Sequence, residues 1–174
     1  MPICDYRSPF GWIRLRGDSS RLTAAELLSE PPSRPRESSV LSSFAERLAS
    51  YFGGRPITVE RDELDMEGLS AFCRKVLVEL QRVGYGRCVS YGELAARIGR
   101  DGAFRAVGQA AGRNPFPIFV PCHRIIRADA TVGGFAFGGQ WKCALLRHEG
   151  HIVRGTEVAT AGRCRTDQEE RDCG

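Results

Sequence analysis

The most reactive pair of neighbouring side chains in the sequence is Cys122–His123, which lies within Pro121–Arg124. The thiolate is the nucleophilic form of cysteine, and an unperturbed thiol with a pKa of about 8.5 provides little of it at neutral pH. A neighbouring imidazole can take the proton, directly or through one water, and a carboxylate that orients the imidazole completes the set. Adjacency alone is weak evidence, because side chains adjacent on a strand point to opposite faces.

The elements around this pair determine how it is positioned. Ile118–Val120 is a short apolar run that predicts a buried strand ending just before the cysteine. Further upstream, Ser90 and Glu93 form a capping box that predicts the start of a helix over Tyr91–Ile98. The cysteine is therefore expected where a strand ends, downstream of a well-defined helix.

A second short helix is predicted from about Ala103 to Gly112, after the turn at 99–102. Two short helices joined by a glycine-containing turn make a helix-turn-helix, which occurs in DNA-binding proteins and also as a plain packing unit. The second helix is rich in small residues such as Ala103, Ala106 and Gly108, whereas base-reading helices usually expose Arg, Asn or Gln. Small residues allow a close backbone approach, either to a groove or to another helix.

The remaining pattern predicts an α+β fold. Two short strands over the first 16 residues, a proline-containing loop and a helix over 41–52 predict a small N-terminal α/β subdomain with its linker, at 1–67. A long apolar stripe from Leu69 to Val83 opens a mostly helical C-terminal domain at 68–150, which contains the helix-turn-helix. Residues 151–174 read as a polar tail, with His151 solvated.

Charge is concentrated in one segment. Between Tyr85 and Arg127 there are seven Arg and two acidic residues, a net charge of +5, whereas the rest of the chain carries −1. A basic segment on a near-neutral protein suits a surface that faces phosphates, although a solvated face is an equal alternative. No apolar run approaches the ~20 residues of a membrane span, so we expect a cytoplasmic protein without membrane contact.

Seven cysteines without a C-x-x-C spacing fit neither a zinc ribbon nor a disulfide scaffold. Cys4 lies in a predicted strand without His partners for a zinc site, so no metal is expected, and no cofactor is expected either. Cys73 lies on the apolar stripe and is expected in the core. Cys88 and Cys143 have no base nearby in the sequence and are expected to be inert. Cys164 and Cys173 lie in the tail, where their pairing is open.

Several motifs in order resemble the O6-alkylguanine-DNA alkyltransferase family, also named methylated-DNA–protein-cysteine methyltransferases. The resemblance covers about Pro2 to Gly150 and is sharpest after Val89. The motifs that carry it are Val89–Ala95, Arg105–Gly108, Arg113–Pro115, Pro121–Arg124, Val132–Phe135 and His148–Gly150.

The resemblance implies a role for each matching residue near the thiol. Cys122 would accept the alkyl group, His123 would deprotonate it through a water, and Glu149 would orient His123. Asn114 would hold the turn that carries the cysteine, and Tyr91 would donate a proton or hydrogen bond to the departing guanine. Tyr91 and Glu149 could instead be an interface residue and a surface carboxylate.

The resemblance also implies how DNA would bind. Arg105 would fill the gap left by a flipped nucleotide, while Ala103, Ala106 and Gly108, together with Tyr91, would face the minor groove of double-stranded DNA. Phe135, Ala136 and Ile125 would line the substrate pocket, with Phe135 and Ala136 standing where many members carry Tyr and Ser. The protein is expected to act as a monomer.

The implied activity is irreversible, stoichiometric transfer of an alkyl group from O6-alkylguanine in duplex DNA to Cys122, with O4-alkylthymine as a further candidate substrate. Two alternatives stay open. A non-enzymatic binder of alkylated DNA would share the scaffold but lack the acceptor thiol, which this chain has. A Cys–His hydrolase unrelated to DNA would leave Arg105 and the helix-turn-helix unexplained.

Overall fold

The computed structural model describes residues 1–160, which form an α+β fold. The chain begins with an antiparallel sheet of β1 (Ile3–Ser8), β2 (Gly11–Gly17) and β3 (Leu22–Leu27), with β2 in the centre. The first two strands confirm the sequence prediction. The third was missed because its centre, Thr23–Glu26, has little of the β-branched and aromatic character that marks strands.

Two helices follow the sheet: the first packs against β1, and the second packs against the helices that come later in the chain. Helix α1 (Ser42–Phe52) buries Phe44, Leu48 and Tyr51, as its apolar spacing predicts. Helix α2 (Ala71–Gln81) begins at Ser70, whose side chain accepts a hydrogen bond from the backbone N–H of Cys73 at 3.1 Å. Cys73 is buried, as expected of a residue on the apolar stripe.

The next two helices form the predicted helix pair, and the first of them begins at the predicted capping box. Ser90 accepts from the N–H of Glu93 at 3.1 Å, and Glu93 accepts from the N–H of Ser90 at 2.7 Å, so the capping box is confirmed. Helix α3 (Tyr91–Arg97) is joined by a short turn to α4 (Phe104–Gly112), and the two helices pack together. Gly99 and Gly102 adopt φ values of +67° and +77° in that turn, which glycine adopts without strain.

The predicted strand at Ile118–Val120 is wrong. Ile118 has φ of +74°, and the N–H of Val120 donates to the carbonyl of Phe116 at 2.8 Å, so this apolar run is a buried tight turn. Cys122–Arg124 then forms one 3-10 turn. Periodicity cannot separate a buried turn from a buried strand over three residues.

The 3-10 turn leads into β5 (Ile125–Ile126), which pairs in parallel with β4 (Val89–Ser90). This short ladder fixes the cysteine turn beside the start of α3, because β4 runs directly into that helix. Helix α5 (Gly139–His148) follows after a loop.

The predicted polar tail is wrong over its first ten residues. Strands β6 (His151–Arg154) and β7 (Glu157–Thr160) form an antiparallel hairpin that buries Val153 and Val158. The polar residues between these valines hid the alternation in the sequence. Cys164 and Cys173 lie outside the described residues.

The buried apolar residues form one large cluster, from Cys4 in β1 to Leu145 in α5, and a smaller one beneath the hairpin. The large cluster crosses the predicted boundary at 67/68, so the two halves share packing; the division into two domains stays a prediction. No helix in the described part of the chain is long and apolar enough to cross a membrane.

Candidate active site

The cysteine turn is held by the one asparagine of the chain. Asn114 is buried, and its Nδ2 donates to the carbonyl of Val120 at 2.9 Å and to Sγ of Cys122 at 3.0 Å. Its Oδ1 accepts from the N–H of Phe116 at 2.9 Å. One amide thus ties both ends of the loop together and also contacts the sulfur.

Burial determines the protonation state of Cys122. The side chain is 5% exposed, and burial raises the pKa of its thiol to about 11. The amide of Asn114, the charge of Lys142, and the backbone N–H groups of Cys122 and His123 act in the opposite direction. The thiol is therefore neutral at pH 7 and needs a base before it can act as a nucleophile.

His123, the residue after Cys122, forms a buried imidazole–carboxylate pair with Glu149. Nε2 of His123 lies 2.8 Å from Oε1 of Glu149, and both residues are buried. Burial lowers the pKa of His123, so the ring is neutral and can accept a proton. Among residues 1–160, Nδ1 of His123 has no protein hydrogen-bond partner, which leaves this nitrogen available as the acceptor.

Glu149 is held by more groups than the sequence indicated. Arg124 donates from Nε to both carboxylate oxygens, at 3.2 and 2.9 Å, and from Nη2 to Oε1 at 2.8 Å. The hydroxyl of Tyr51 donates to Oε1 at 2.8 Å, and the N–H of Gly86 donates to Oε2 at 3.0 Å. The reading of Glu149 as a surface carboxylate is excluded.

These contacts fix the charge of the carboxylate. Burial alone would raise the pKa of Glu149, but His123 and Arg124 hold it well below its usual range. Glu149 is therefore an anion at neutral pH that faces the Nε2 side of the His123 ring.

A small open pocket of about 180 Å³ leads to the sulfur. The residues that line it come from α3, α4, the turn at Cys122, β5 and the loop before α5. They are Tyr91, Gly108, Ala111, Gly112, Cys122, Ile125, Gly134, Phe135 and Ala136. The structure thus brings together Tyr91, Ile125, Phe135 and Ala136, the residues expected around the substrate.

Tyr91 is wedged between two glycines. A Cβ on Gly108 would lie 3.4 Å from the Tyr91 ring, and one on Gly133 would lie 3.2 Å from its hydroxyl oxygen. Burial raises the pKa of Tyr91, so the hydroxyl keeps its proton and can donate it.

The outward face of α4 is exposed beside this pocket. Arg105 and Ala106 are exposed, and the guanidinium of Arg105 lies 5.8 Å from the ring centroid of Phe104, which is itself 49% exposed. Ala103, at the start of the helix, is half-buried. Of the residues expected to face DNA, Gly108 and Tyr91 line the pocket, and Arg105 and Ala106 lie on the same helix as Gly108.

Sequence reasoning missed a buried lysine near the thiol. Lys142 of α5 is fully buried, and its Nζ donates to the carbonyl of Gly134 at 3.2 Å, in the loop that lines the pocket. Burial lowers its pKa to about 8, and the charge lies close enough to Cys122 to favour the thiolate. Its one signal was composition: the chain has two Lys among 25 basic residues.

These features define a protein with one buried cysteine thiol at the base of a small pocket, beside an exposed helix. A family model described as the DNA-binding domain of 6-O-methylguanine DNA methyltransferase matches residues 71–151. The methylated-DNA–protein-cysteine methyltransferase of Mycolicibacterium paratuberculosis is 42% identical over 155 residues, which cover 84% of this chain and 93% of the relative. The Salmonella typhimurium enzyme of that name is 44% identical over 109 residues, or 63% of each chain.

A solved structure agrees. The crystal structure of Mycobacterium tuberculosis OGT in complex with DNA matches with a TM-score of 0.74 and 38% identity, covering 84% of this chain and 91% of that one. The chain belongs to the methylated-DNA–protein-cysteine methyltransferase family.

Proposed function

We propose that this protein repairs DNA by transferring an alkyl group from O6 of guanine to Sγ of Cys122, once per molecule. The observation that carries the proposal is a buried thiol, contacted by Asn114 and followed by a His123–Glu149 pair, at the base of a pocket that opens beside α4. Relatives that cover most of the chain are named methylated-DNA–protein-cysteine methyltransferases.

The first step removes the thiol proton. His123 is neutral, so its free Nδ1 takes the proton from Cys122 through a bridging water, and the anionic Glu149 stabilises the imidazolium that results. Asn114, the backbone N–H groups of the turn and the cation of Lys142 stabilise the new thiolate. A thiol whose pKa is raised to about 11 therefore becomes reactive only when base and thiol act together.

The second step transfers the alkyl group. Sulfur attacks the alkyl carbon, the S–C bond forms, and the C–O6 bond breaks with its electron pair leaving on guanine. Tyr91 donates its proton or a hydrogen bond to the guanine as negative charge develops. The product on Cys122 is a thioether, which water does not cleave, so each protein molecule reacts once.

The substrate enters from duplex DNA. O6 of guanine is inside the base stack, so the nucleotide must be flipped out, at a cost of a few kcal/mol. We propose that α4 lies in the minor groove, where its small residues Ala103, Ala106 and Gly108 allow a close approach to the DNA backbone. Arg105 then fills the gap that the flipped nucleotide leaves in the base stack. Because Gly108 also lines the pocket, a nucleotide extruded beside α4 is next to Cys122. A single chain carries the whole site, so the proposed active form is a monomer.

The pocket wall sets which alkyl groups fit. Phe135 provides an aromatic face for guanine and packs edge-on against Phe137, with ring centroids 5.5 Å apart. Ala136 keeps its backbone N–H for O6 but lacks a side-chain hydroxyl. We infer a less polar pocket than one lined by Tyr and Ser, with Ile125 as a further apolar residue of its lining.

The test follows the loss of O6-methylguanine from a duplex as protein is titrated. We expect one lesion to disappear per protein molecule, with no further loss on longer incubation. Continued turnover would contradict the proposed thioether end point. Tight lesion binding without loss of methyl would instead place the protein among non-enzymatic lesion binders.

A further inference from the structure

A second cysteine–histidine pair lies outside the pocket. Cys88 immediately precedes β4, and its Sγ lies 3.5 Å from Nε2 of His151 at the start of β6. The sequence had predicted an inert Cys88 and a solvated His151. The expectation for His151 is wrong, because the hairpin folds back and buries the imidazole against the thiol. The inertness of Cys88 was expected because no base lies nearby in the sequence, and the fold brings one to it.

The histidine is built into the fold as a proton acceptor. His151 is 4% exposed, and within the described residues its Nδ1 has no hydrogen-bond partner. Burial lowers the pKa of His151, with Glu149 and Arg124 as the charged groups that act on it. The ring is therefore neutral at pH 7, and its Nε2 faces a sulfur atom.

The thiol is partly exposed, unlike Cys122. Cys88 is half-buried at the edge of the small apolar cluster and is not among the residues that line the 180 Å³ pocket. On the α5 side, Lys142 is close enough to Cys88 and Cys143 for its charge to interact with both. The cation of Lys142 favours a thiolate, and the neutral imidazole of His151 can accept the thiol proton as a general base.

We propose that Cys88 is a second reactive thiol, alkylated from solution by small uncharged carbon electrophiles such as haloacetamides, with His151 accepting the thiol proton. The thiol proton passes to Nε2, sulfur attacks the electrophilic carbon, a new S–C bond forms, and the halide leaves with the electron pair of the broken bond. The site does not use DNA and does not consume Cys122.

Cys143 is a matched control within the same chain. It is also half-buried, it borders the same apolar cluster, and it also lies near Lys142. Among the described residues, Cys143 has no histidine within hydrogen-bond distance, whereas Cys88 contacts His151. The ratio of their reactivities therefore compares a thiol that has a histidine neighbour with one that has none, and the His151→Asn variant isolates the contribution of the imidazole.

The experiment treats the full-length protein with iodoacetamide at pH 7 and follows each cysteine by peptide mass spectrometry. We expect Cys88 to react at least about tenfold faster than Cys143, because His151 is positioned to accept the thiol proton as sulfur attacks. In concentrated urea the two rates should become similar, because the Cys88–His151 contact is lost. Equal rates in the native protein would overturn the proposal.

His151→Asn tests the base directly. The variant should slow Cys88 about tenfold and leave Cys143 unchanged, and a cooperative thermal unfolding transition confirms that it is folded. An unchanged Cys88 rate in a folded variant would refute the role of His151. If the variant does not fold, the urea series on the wild-type protein decides: the ratio of the Cys88 rate to the Cys143 rate should fall towards one in concentrated urea, and a ratio that urea leaves unchanged would overturn the proposal.

Discussion

The hydroxyl of Tyr51 offers a sharp test of how the buried carboxylate is stabilised. It donates to Oε1 of Glu149 at 2.8 Å and lies 3.4 Å from Nε2 of His123, in a fully buried position. Tyr51→Phe removes this donor and keeps the ring, so the aromatic contacts with Phe52 and Tyr85 persist. The variant isolates one hydrogen bond to a buried anion.

The expected loss of stability in Tyr51→Phe depends on the hydrogen bonds to Glu149 that the variant keeps. A hydrogen bond to a charged group contributes about 1.5–3 kcal/mol. Arg124, His123 and the N–H of Gly86 still contact Glu149, so we expect a loss at the lower end, about 1.5 kcal/mol. In a protein of this size that lowers Tm by about 3–6 °C. Transfer to Cys122 should slow less than tenfold, because Glu149 keeps its contact with His123.

Tyr85→Phe is the matched control. The hydroxyl of Tyr85 donates to the backbone carbonyl of His148 at 3.2 Å in a half-buried position, so the loss of this long neutral hydrogen bond should cost about 0.5 kcal/mol, the lower end of the range for such bonds. Thermal and urea unfolding of both variants beside wild type provide the comparison. Equal losses of stability in Tyr51→Phe and Tyr85→Phe, or no loss in Tyr51→Phe, would refute the reasoning about the buried anion.

Three further predictions address DNA, the buried lysine and pH. Arg105→Ala should slow transfer from duplex DNA more than from free O6-benzylguanine, and equal loss on both would remove Arg105 from the DNA role. Lys142→Met should raise Tm by removing a buried cation yet slow transfer about tenfold by raising the pKa of the thiol, whereas the exposed Lys75→Met should change neither. Burial lowers the pKa of His123 and His151, so below about pH 6.5 these two residues take up protons in the unfolded state and not in the folded one. The free energy of unfolding should therefore fall between pH 7 and 5.5, by up to about 1.4 kcal/mol per pH unit for each histidine. A free energy of unfolding, measured in urea, that stays constant over this range would contradict the prediction.

The residues around the thiol could be predicted from the sequence, because each is close to Cys122 in the chain or belongs to a recognisable motif. Cys122 and His123 are adjacent, and Asn114 was expected to hold the turn, which its contacts with Val120 and Phe116 now explain. Tyr91 was positioned by the capping box of Ser90, which is a local signal and was confirmed. The chemical roles of these residues stay predictions until transfer is measured.

The supporting contacts could not be predicted, because they join distant parts of the chain. Tyr51 lies three residues after Leu48 on the apolar face of α1, so burial was foreseeable, but its partner Glu149 is 98 residues away. Arg124 was part of a motif without an assigned role, and only the fold shows that it faces Glu149. The hairpin over 151–160 was missed for a similar reason, since it is buried against residues such as Cys88 that come much earlier in the chain.

The most direct test of the central claim is the intact mass of the protein after incubation with duplex DNA that contains O6-methylguanine, for wild type and Cys122→Ala. We predict a gain of one methyl group on wild type, no gain on Cys122→Ala, and no increase on longer incubation. A methyl gain on Cys122→Ala, or no gain on a wild-type protein that binds the lesion, would contradict the assignment of Cys122 as the alkyl acceptor.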